Sequence, residues 1–549
     1  MTDIQTKLSS FGEDQELLAV ERARRTSSPH AIRSVGIVGG GTAGYLSALI
    51  LRATCPDVAV TLIESKKIPI IGVGEATVNS IVPFLHKTLG IDIHEFYREV
   101  IPTMKLGIKF EWGQPAPYHF QAPFDWTVGS VGLIGSMTYE GNVNSMSLGS
   151  LMMEHDKTFV IRGNDDGEIL SLFSDYHFAY HLDNMRFVSF LHRKAVERGV
   201  RHLDTTIVDA KVDATGENIT TLLTESGETL SFDLYVDCSG FRSMLLEGKL
   251  KSDFVSYADS LYTDRALAFN TPHGGHIKPY TTASTMSSGW CWTIPMPEDD
   301  HHGYVFSSRF CTPEEAEREL REKYPDAGDT RIVKFRSGRH EEIWRGNVFA
   351  VGNSYAFVEP LESTGILMIT NAAAQLARVV SRHTNGDAGF RYIVNKNIAD
   401  DWDRLRWFLA IHYKYNQRLD TPFWKKVRAD GDVSGVEHIL QLYRENAPIR
   451  LLGETTTSSL RGNFNLFFGV QGFDCILLGQ KAPTNLLPPP EPREAWLARK
   501  QVAMEVVNHA LTMEEVVAIN RDSRDILDLF VSDEESWINK DPLFSKFAV

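Results

Sequence analysis

The sequence lacks the features that would place this chain in several large classes of protein. Its five cysteines are scattered and odd in number, and no two of them form a C-x-x-C pair. Neither a disulfide framework nor a cysteine zinc site is supported. This cysteine usage favours the reducing cytoplasm as the compartment.

The sequence also lacks long apolar runs, an excess of basic residues and the residue spacing of known metal sites. No run approaches the length of a membrane span, and the polar residues 1–33 predict an N-terminal arm rather than a secretory signal. The formal charge of −15 argues against nucleic acid or an anionic membrane as the main partner. The 18 histidines show no spacing such as H-E-x-x-H, so we expect no metal site.

What the sequence does contain is an apolar strand at 35–38 that leads into a glycine loop and a helix. Gly39, Gly41 and Gly44 have the spacing G-x-G-x-x-G, which suits a tight turn, a pyrophosphate and close helix packing. A second strand at 58–63 ends in Glu64, where an acid that accepts a ribose hydroxyl is expected. A chance glycine loop is the alternative, but strand, helix and acid together predict a dinucleotide site.

The order of the remaining elements is typical of flavoproteins rather than of simple dehydrogenases. A helix is predicted at 184–199 and short strands at 207–212, 219–223 and 229–232. Buried strands at 233–240 and 348–352 return to the first unit, and the aromatic-rich strands of 262–345 predict a substrate-side sheet. From about 367 onward the pattern is helical, with helices near 492–508 and 513–531.

Further motifs narrow the function. They are W-x-W-x-I-P at 290–295, FVEPLESTGI at 357–366, MKLGIKF at 104–110, GVGEAT at 72–77, DCSG at 237–240 and DTPFW at 420–424. Together with the glycine loop, they make the chain resemble the flavin-dependent halogenases of the tryptophan-halogenase family. The resemblance runs in the same order along the chain, from about residue 34 to at least residue 480.

The resemblance implies an α/β (α+β) fold in three parts. Residues 1–33 would form the arm, and 34–366 an FAD-binding Rossmann-like core of the flavin monooxygenase type with the inserted sheet of about 262–345. Residues 367–549 would form a mainly helical C-terminal subdomain that completes the substrate pocket. The residues expected to hold FAD are Gly39, Gly41, Thr42, Ala43, Gly44, Glu64, Gly74, Glu75, Ala76, Gly352 and Ile366.

The family's chemistry implies the cofactors and partners. FADH2, supplied by a separate NAD(P)H-dependent flavin reductase, would react with oxygen to give a C4a-hydroperoxide. Chloride or bromide would attack its distal oxygen and form hypohalous acid. The halide would lie at the backbone of Thr364 and Gly365, where N–H groups bind an anion without offering an oxidisable side chain. A helix that simply closes over the flavin is the other interpretation of this turn.

In the family, a wall of two tryptophans keeps the organic substrate away from the flavin. Trp290 and Trp292, followed by Ile294 and Pro295, match it here. An ordinary buried aromatic pair is the structural alternative.

Lys105 matches the family's catalytic lysine, which captures hypohalous acid as a chloramine or as a hydrogen-bonded complex. Burial favours a neutral amine, whereas Lys109 fits a solvated lysine better; their spacing predicts that both lie on one strand face. Glu362 matches the catalytic glutamate, a general base that also stabilises the cationic ring, and Ser363 would orient groups between the two. Glu359 fits a salt bridge or a helix cap.

The expected substrate is a small electron-rich aromatic compound. His119 and Phe120 match a pair that sandwiches an indole, with Phe124 as an alternative. Tryptophan-specific members use two tyrosines, a glutamate and a tryptophan at positions that fall here near Thr456, Thr457, Asn463 and Phe468. Because a zwitterion would lose contacts worth about 1.5–3 kcal/mol each, we expect an indole, a phenol, a pyrrole or a larger natural-product scaffold other than free tryptophan.

Two other functions fit parts of the sequence. An aromatic hydroxylase would use the hydroperoxide directly on the substrate, but it would need neither the tryptophan pair nor Lys105. A flavoprotein without halogenating activity is the other alternative. A homodimer would be ordinary for such an enzyme.

Overall fold

The computed structural model describes residues 31–68, 74–125, 135–163, 168–382, 388–452, 468–489, 491–523, 525–532 and 536–539. Several sequence predictions lie outside these ranges. They are most of the N-terminal arm, the start of the second glycine motif (Gly72 and Val73) and the substrate positions Thr456, Thr457 and Asn463.

The strands are numbered in chain order. They are β1 (Ser34–Val38), β2 (Ala59–Glu64), β3 (Gly74–Ala76), β4 (Thr103–Lys105), β5 (Gly107–Glu111), β6 (Phe120–Pro123), β7 (Lys157–Arg162), β8 (Ile169–Ser171), β9 (Ala179–Asp183), β10 (Arg201–Asp204), β11 (Ile207–Val212), β12 (Ile219–Thr224), β13 (Thr229–Leu230), β14 (Leu234–Asp237), β15 (Phe254–Ser256), β16 (Arg265–Thr271), β17 (Thr281–Met286), β18 (Gly289–Pro295), β19 (Asp300–Phe306), β20 (Arg331–Lys334), β21 (Gly338–His340), β22 (Trp344–Arg345), β23 (Val348–Ala350), β24 (Ala356–Phe357) and β25 (Ala510–Thr512).

The α-helices are numbered in the same way. They are α1 (Thr42–Thr54), α2 (Ile81–Pro83), α3 (Ile93–Val100), α4 (Ser136–Glu140), α5 (Leu148–Glu154), α6 (Asn184–Glu197), α7 (Pro313–Lys323), α8 (Gly365–Arg382), α9 (Ala388–Tyr415), α10 (Pro422–Asp430), α11 (Glu437–Asn446), α12 (Gly469–Gly479), α13 (Arg493–His509), α14 (Met513–Asp522) and α15 (Asp525–Val531). None of these described helices is long and apolar enough to span a membrane.

The first sheet has the order β10-β2-β1-β14-β23-β22. Its strands run parallel except for β22, which pairs antiparallel with β23. The central strand β1 is almost entirely apolar and buried, as a strand covered on both faces must be. Helix α1 packs against α6 and α8 beside this sheet. The predicted return of the chain through β14 and β23 is confirmed, and the parallel strands around β1 are the arrangement expected of a dinucleotide site.

The second large sheet has the order β20-β16-β19-β18-β17-β5-β6. Five of its strands come from the region predicted as a substrate-side sheet, but β5 and β6 come from residues 107–123. Strand β5 pairs parallel with β17, so Ile108 lies beside Thr281. This pairing joins segments far apart in the chain, and periodicity in either segment alone does not reveal it.

The C-terminal part is mainly helical, as predicted. In α9, Trp402, Leu405, Phe408, Leu409 and His412 are buried on one side. Pro422 begins the next helix, at a first-turn position where its missing N–H costs nothing. The predicted helix at 513–531 is two helices, α14 and α15, and strand β25 precedes them and pairs with β7.

Candidate active site

A different feature of the local geometry explains why glycine occupies each position of the motif after β1. Gly39 adopts φ 118°, and a Cβ there would lie 2.2 Å from the Cys238 carbonyl oxygen. A Cβ at Gly44 would lie 1.9 Å from the Gly39 carbonyl oxygen, so glycine lets α1 pack on the loop. A Cβ at Gly41 would meet nothing within 4 Å, because this residue faces open space. Turn, helix packing and room for a phosphate are therefore all present.

That open space is a cavity of about 790 Å³. Its size is within the usual range for ligand sites. It brings together residues that are distant in the sequence and that were predicted to bind the cofactor or the halide, namely Gly39, Gly41, Thr42, Ala43, Glu64, Gly74, Glu75, Ala76, Gly352, Thr364, Gly365 and Ile366. Ser363, predicted to orient the catalytic groups, lines it too. Thr205, Thr206 and Ile207 also line it, and no motif pointed to them.

Glu64 ends β2 and presents its two carboxylate oxygens to different surroundings. A Cβ at Gly40 would lie 1.5 Å from Oε2, which places this oxygen over the glycine loop. Oε1 accepts hydrogen bonds from the Tyr45 hydroxyl and, at 2.8 Å, from Nε2 of His202. One oxygen therefore anchors the side chain and leaves the other for a ribose hydroxyl. His192 completes a group with metal-ligand chemistry here, but Oε1 already has two donors.

Glu75 is the second acid of the cavity. Burial raises the pKa of this carboxyl to about 7, because the charged form is disfavoured away from water. The Asn184 amide approaches Oε1 at 3.5 Å. A carboxyl of this kind can hold or release a proton near neutral pH next to a bound ligand.

The turn before α8 has the properties of an anion site. Ser363 adopts φ 57°, and its buried Oγ has no hydrogen-bond partner among the described residues. Thr364 and Gly365 follow at the start of an 18-residue helix, whose first N–H groups and positive dipole end attract anions. A Cβ at Gly365 would meet nothing within 4 Å, so the approach is open.

Strand β18 forms a wall of this cavity. Its residues are all buried, and Trp292 and Ile294 line the cavity. The Trp290 and Trp292 ring centroids are 6.0 Å apart. Trp292 pairs with Gly303 of β19, where a Cβ would lie 1.9 Å from the indole ring, so only glycine leaves room for it. The sequence also placed Pro295 in the wall; it ends the strand, and its carbonyl accepts a hydrogen bond from Thr103 Oγ1 at 2.9 Å.

Lys105 ends β4 and is fully buried. Its Nζ donates to the Thr77 carbonyl oxygen at 2.9 Å and lies 5.4 Å from the Phe124 ring centroid. Burial lowers the pKa of this amine to about 7, although attraction to Glu362 opposes the shift. The prediction that Lys109 shares its strand face was wrong, since Lys109 lies on β5 in another sheet. The chain breaks its strand at Leu106, which pure alternation does not reveal.

Glu362 is buried next to His412 of α9. Its Oε1 lies 2.6 Å from Nε2 of His412, and Nδ1 of His412 lies 2.9 Å from the Phe408 carbonyl oxygen. Since a carbonyl oxygen only accepts, Nδ1 carries a proton. Nε2 of His412 is then the ring atom that contacts the Glu362 carboxylate. Nothing in the sequence pointed to His412 beyond its place in a helical pattern.

Among the described residues Glu359 forms neither a salt bridge nor a helix cap, so that interpretation was wrong. The side chain is fully buried, and its carboxylate accepts hydrogen bonds from the hydroxyls of Thr263 and Tyr413. Burial raises the pKa of this carboxyl to about 6. The partners come from positions about 96 and 54 residues away, which no local motif encodes.

The predicted substrate residues lie in three different surroundings. His119 pairs with Glu154 at 2.9 Å. Phe120 is fully buried and stacks on Phe110 with centroids 5.0 Å apart. Phe468 is half-buried and stacks on Phe408 with centroids 4.4 Å apart. Their roles toward a substrate stay predictions, and the position of Phe124 beside Lys105 favours the alternative to Phe120.

The comparisons with known proteins agree with this geometry. The family model described as tryptophan halogenase matches residues 34–490. The chain belongs to the tryptophan halogenase family. As a member, it is a flavin-dependent halogenase, and FAD is its cofactor.

Individual relatives of this halogenase are similar over most of their length. The tryptophan 7-halogenase RebH of Lentzea aerocolonigenes is 31% identical over 515 residues, which are 87% of this chain and 94% of that protein. The 7-chloro-L-tryptophan 6-halogenase KtzR of Kutzneria sp. (strain 744) is 34% identical over 75% of this chain and 85% of its own. The crystal structure of MibH, a lanthipeptide tryptophan 5-halogenase, has a TM-score of 0.89 at 49% identity and covers 93% of this chain and 98% of that one.

The residues predicted for cofactor and chemistry therefore fall into two groups. The glycine loop, Glu64 and the turn at Thr364 line the cavity, whereas neither Lys105 nor Glu362 is among the described residues that line it. Of the tryptophan pair, Trp292 lines the cavity.

Proposed function

We propose that this halogenase forms a carbon–halogen bond on an electron-rich aromatic substrate other than free tryptophan, with chloride or bromide as the halide. In the balanced reaction, reduced FAD, O₂, one halide ion, one proton and one aromatic C–H give oxidised FAD, the aryl halide and two water molecules. The observation that carries the proposal is the buried amine of Lys105, which interacts with Glu362 outside a cofactor cavity bounded by Trp292.

The residues of the cavity fit FAD. Gly41 and Gly365 leave open space along it, and Oε2 of Glu64 faces the loop that would hold the pyrophosphate. Reduced FAD would supply the two electrons with which O₂ becomes able to oxidise a halide. We expect a separate NAD(P)H-dependent reductase to provide it.

The turn at Ser363–Gly365 would hold the halide beside the flavin. The open approach at Gly365 and the unpartnered Ser363 hydroxyl support this role. Backbone N–H groups would orient the ion without themselves being oxidised.

Lys105 and Glu362 would then act on hypohalous acid and on the ring. With a pKa of about 7, the amine is neutral in a large fraction of molecules near pH 7. It can exchange N–H for N–halogen with release of water, or hold the acid by a hydrogen bond. Glu362 would accept the proton that the ring loses, and His412 would hold this carboxylate in place through its hydrogen bond.

We propose an indole side chain within a peptide or a larger scaffold as the substrate. Thr456, Thr457 and Asn463 stand where tryptophan-specific members bind the amino acid's charged groups, and these residues offer a zwitterion few charged partners. The similarity to MibH, whose title names a lanthipeptide tryptophan, is greater than that to RebH. Phenols and pyrroles are the other substrate classes.

The test is a substrate panel. Purified protein, a flavin reductase, NADH, FAD and either chloride or bromide are incubated with free tryptophan, a tryptophan-containing peptide, a phenol and a pyrrole, and products are identified by mass. We expect a halogen isotope pattern on the peptide or another non-amino-acid substrate. Equal or faster halogenation of free tryptophan would overturn the substrate proposal, and gain of one oxygen atom would identify a hydroxylase. Lys105→Ala should stop halogenation but not flavin oxidation, whereas Lys109→Ala should retain both.

A further inference from the structure

Glu359 is a buried acid that the steps above do not use. Among the described residues its hydrogen-bond partners are hydroxyls, from Thr263 just before β16 and from Tyr413 on α9. A buried carboxylate that is hydrogen-bonded by neutral hydroxyls is expensive to keep, and attraction to His412 offsets this cost only in part, because burial still raises the pKa of Glu359. Its retention needs a reason other than stability.

The carboxylate also lies beside the tryptophan wall. Burial raises the pKa of both Glu359 and Tyr413, and the nearby Trp290 indole N–H partly opposes each shift, although it forms no hydrogen bond of normal geometry. Trp290 itself is 1% exposed. An indole N–H buried this deeply requires an acceptor nearby. Glu359 and Tyr413 are polar groups close enough to act on this N–H.

Glu359 is also linked to the pair formed by His412 and Glu362, through residues that are close to one another in the chain. Tyr413 follows His412, which holds Glu362, and Glu362 lies three residues after Glu359. The two adjacent side chains of α9 thus hold the two glutamates of one short segment. A shift of Glu359 would move the wall and the pair formed by His412 and Glu362 together.

We propose that Glu359 is a positioning residue that fixes the Trp290 indole and, through Tyr413, the pair formed by His412 and Glu362. The inference rests on the proposed function, because the role given to Glu359 is to help oxidised halogen reach the substrate instead of being lost. When the wall is misplaced, reduced FAD and O₂ give oxidised FAD and hydrogen peroxide, with no halogen transferred.

The first measurement is the ratio of halogenated product to hydrogen peroxide for each reduced flavin consumed. Glu359→Gln keeps the shape but loses the charge, and we expect this ratio to fall roughly tenfold, as for the loss of one charge-assisted hydrogen bond. Tyr413→Phe, which keeps the carboxylate, should lower the ratio in the same direction. FAD affinity should stay unchanged in both variants, which shows that they are folded.

Asp403→Asn is the matched control. Asp403 lies on the same helix and also accepts a hydrogen bond from a tyrosine hydroxyl, that of Tyr257 at 2.7 Å. This variant should retain the wild-type ratio even if its stability falls. A ratio within twofold of the wild type in Glu359→Gln, with FAD bound normally, would overturn the proposal.

A second measurement needs no turnover. In flavin-free protein with ¹⁵N-labelled indoles, the Trp290 N–H resonance is assigned by its disappearance in Trp290→Phe. We expect Glu359→Gln to shift it and to speed its hydrogen exchange, and Asp403→Asn to do neither. If the wild type halogenates none of the panel, the proposed function fails while this measurement still decides the role of Glu359; an unmoved resonance refutes that role.

Discussion

Lys105 should make the protein less stable at neutral pH than a variant without its amine. The pKa of the amine falls from 10.5 to about 7 on burial. Between these two values the unfolded chain binds the extra proton, so the free energy of unfolding rises with pH through this window. By this linkage, burying the amine costs about 4 kcal/mol at pH 7 and about 2 kcal/mol at pH 9.

Replacement by methionine, Lys105→Met, removes the titrating group at similar volume. It also removes the hydrogen bond to the Thr77 carbonyl oxygen, a loss of about 1–3 kcal/mol that applies at both pH values and so cancels in the difference. We expect the stability of the variant relative to the wild type to decrease by about 2 kcal/mol from pH 7 to pH 9.

Urea unfolding at constant temperature measures this difference. Lys109→Met, measured at the same two pH values, is the control for replacing a lysine by methionine, because Lys109 is only half-buried on β5. A difference between Lys105→Met and the wild type that is equal at both pH values would refute the reasoning, since the amine would then titrate alike in the folded and unfolded chains.

Two further predictions follow from the cavity walls. Gly303→Ala places a methyl group 1.9 Å from the Trp292 ring, so the indole must move, and we expect several-fold less halogenated product per reduced flavin. Gly389→Ala, where a Cβ meets nothing within 4 Å, should leave the yield intact. Equal yields in both variants would contradict the packing argument. Tyr45→Phe removes one donor from Oε1 of Glu64 and should weaken FAD binding about fivefold, the effect of one hydrogen bond of about 1 kcal/mol. Flavin fluorescence titration measures the affinity for FAD, and an unchanged affinity would show that the hydroxyl does not hold Glu64.

Local patterns predicted the cofactor half of the molecule well. The glycine loop, β1, α1, β2 and Glu64 are consecutive in the chain, and each element carries its own periodicity or turn signal. The return strands β14 and β23 are short apolar runs of the kind that parallel sheets bury on both faces. Propensity and pattern therefore agree with the fold there.

The second site depends on contacts that sequence periodicity does not contain. Lys105 differs from Lys109 because the chain leaves one sheet at Leu106 and enters another. Glu359 fitted a salt bridge or a helix cap in the sequence, because its hydroxyl partners, just before β16 and on α9, lie far away in the chain. His412 appeared only as one more buried position of α9. Long-range pairing sets each of these environments, and a single sequence shows none of it.

The boundary formed by β18 bears on how substitutions combine. Free-energy effects of changes separated by more than about 7–10 Å, without shared partners, are usually additive. Substitutions beside Lys105 and Glu362, which are not among the described residues lining the cavity, should therefore add to those that tighten flavin binding around Glu64, and each set can be selected separately. Trp290, Glu359 and Tyr413 are the exception, because they interact with one another, and among them epistasis rather than additivity is expected.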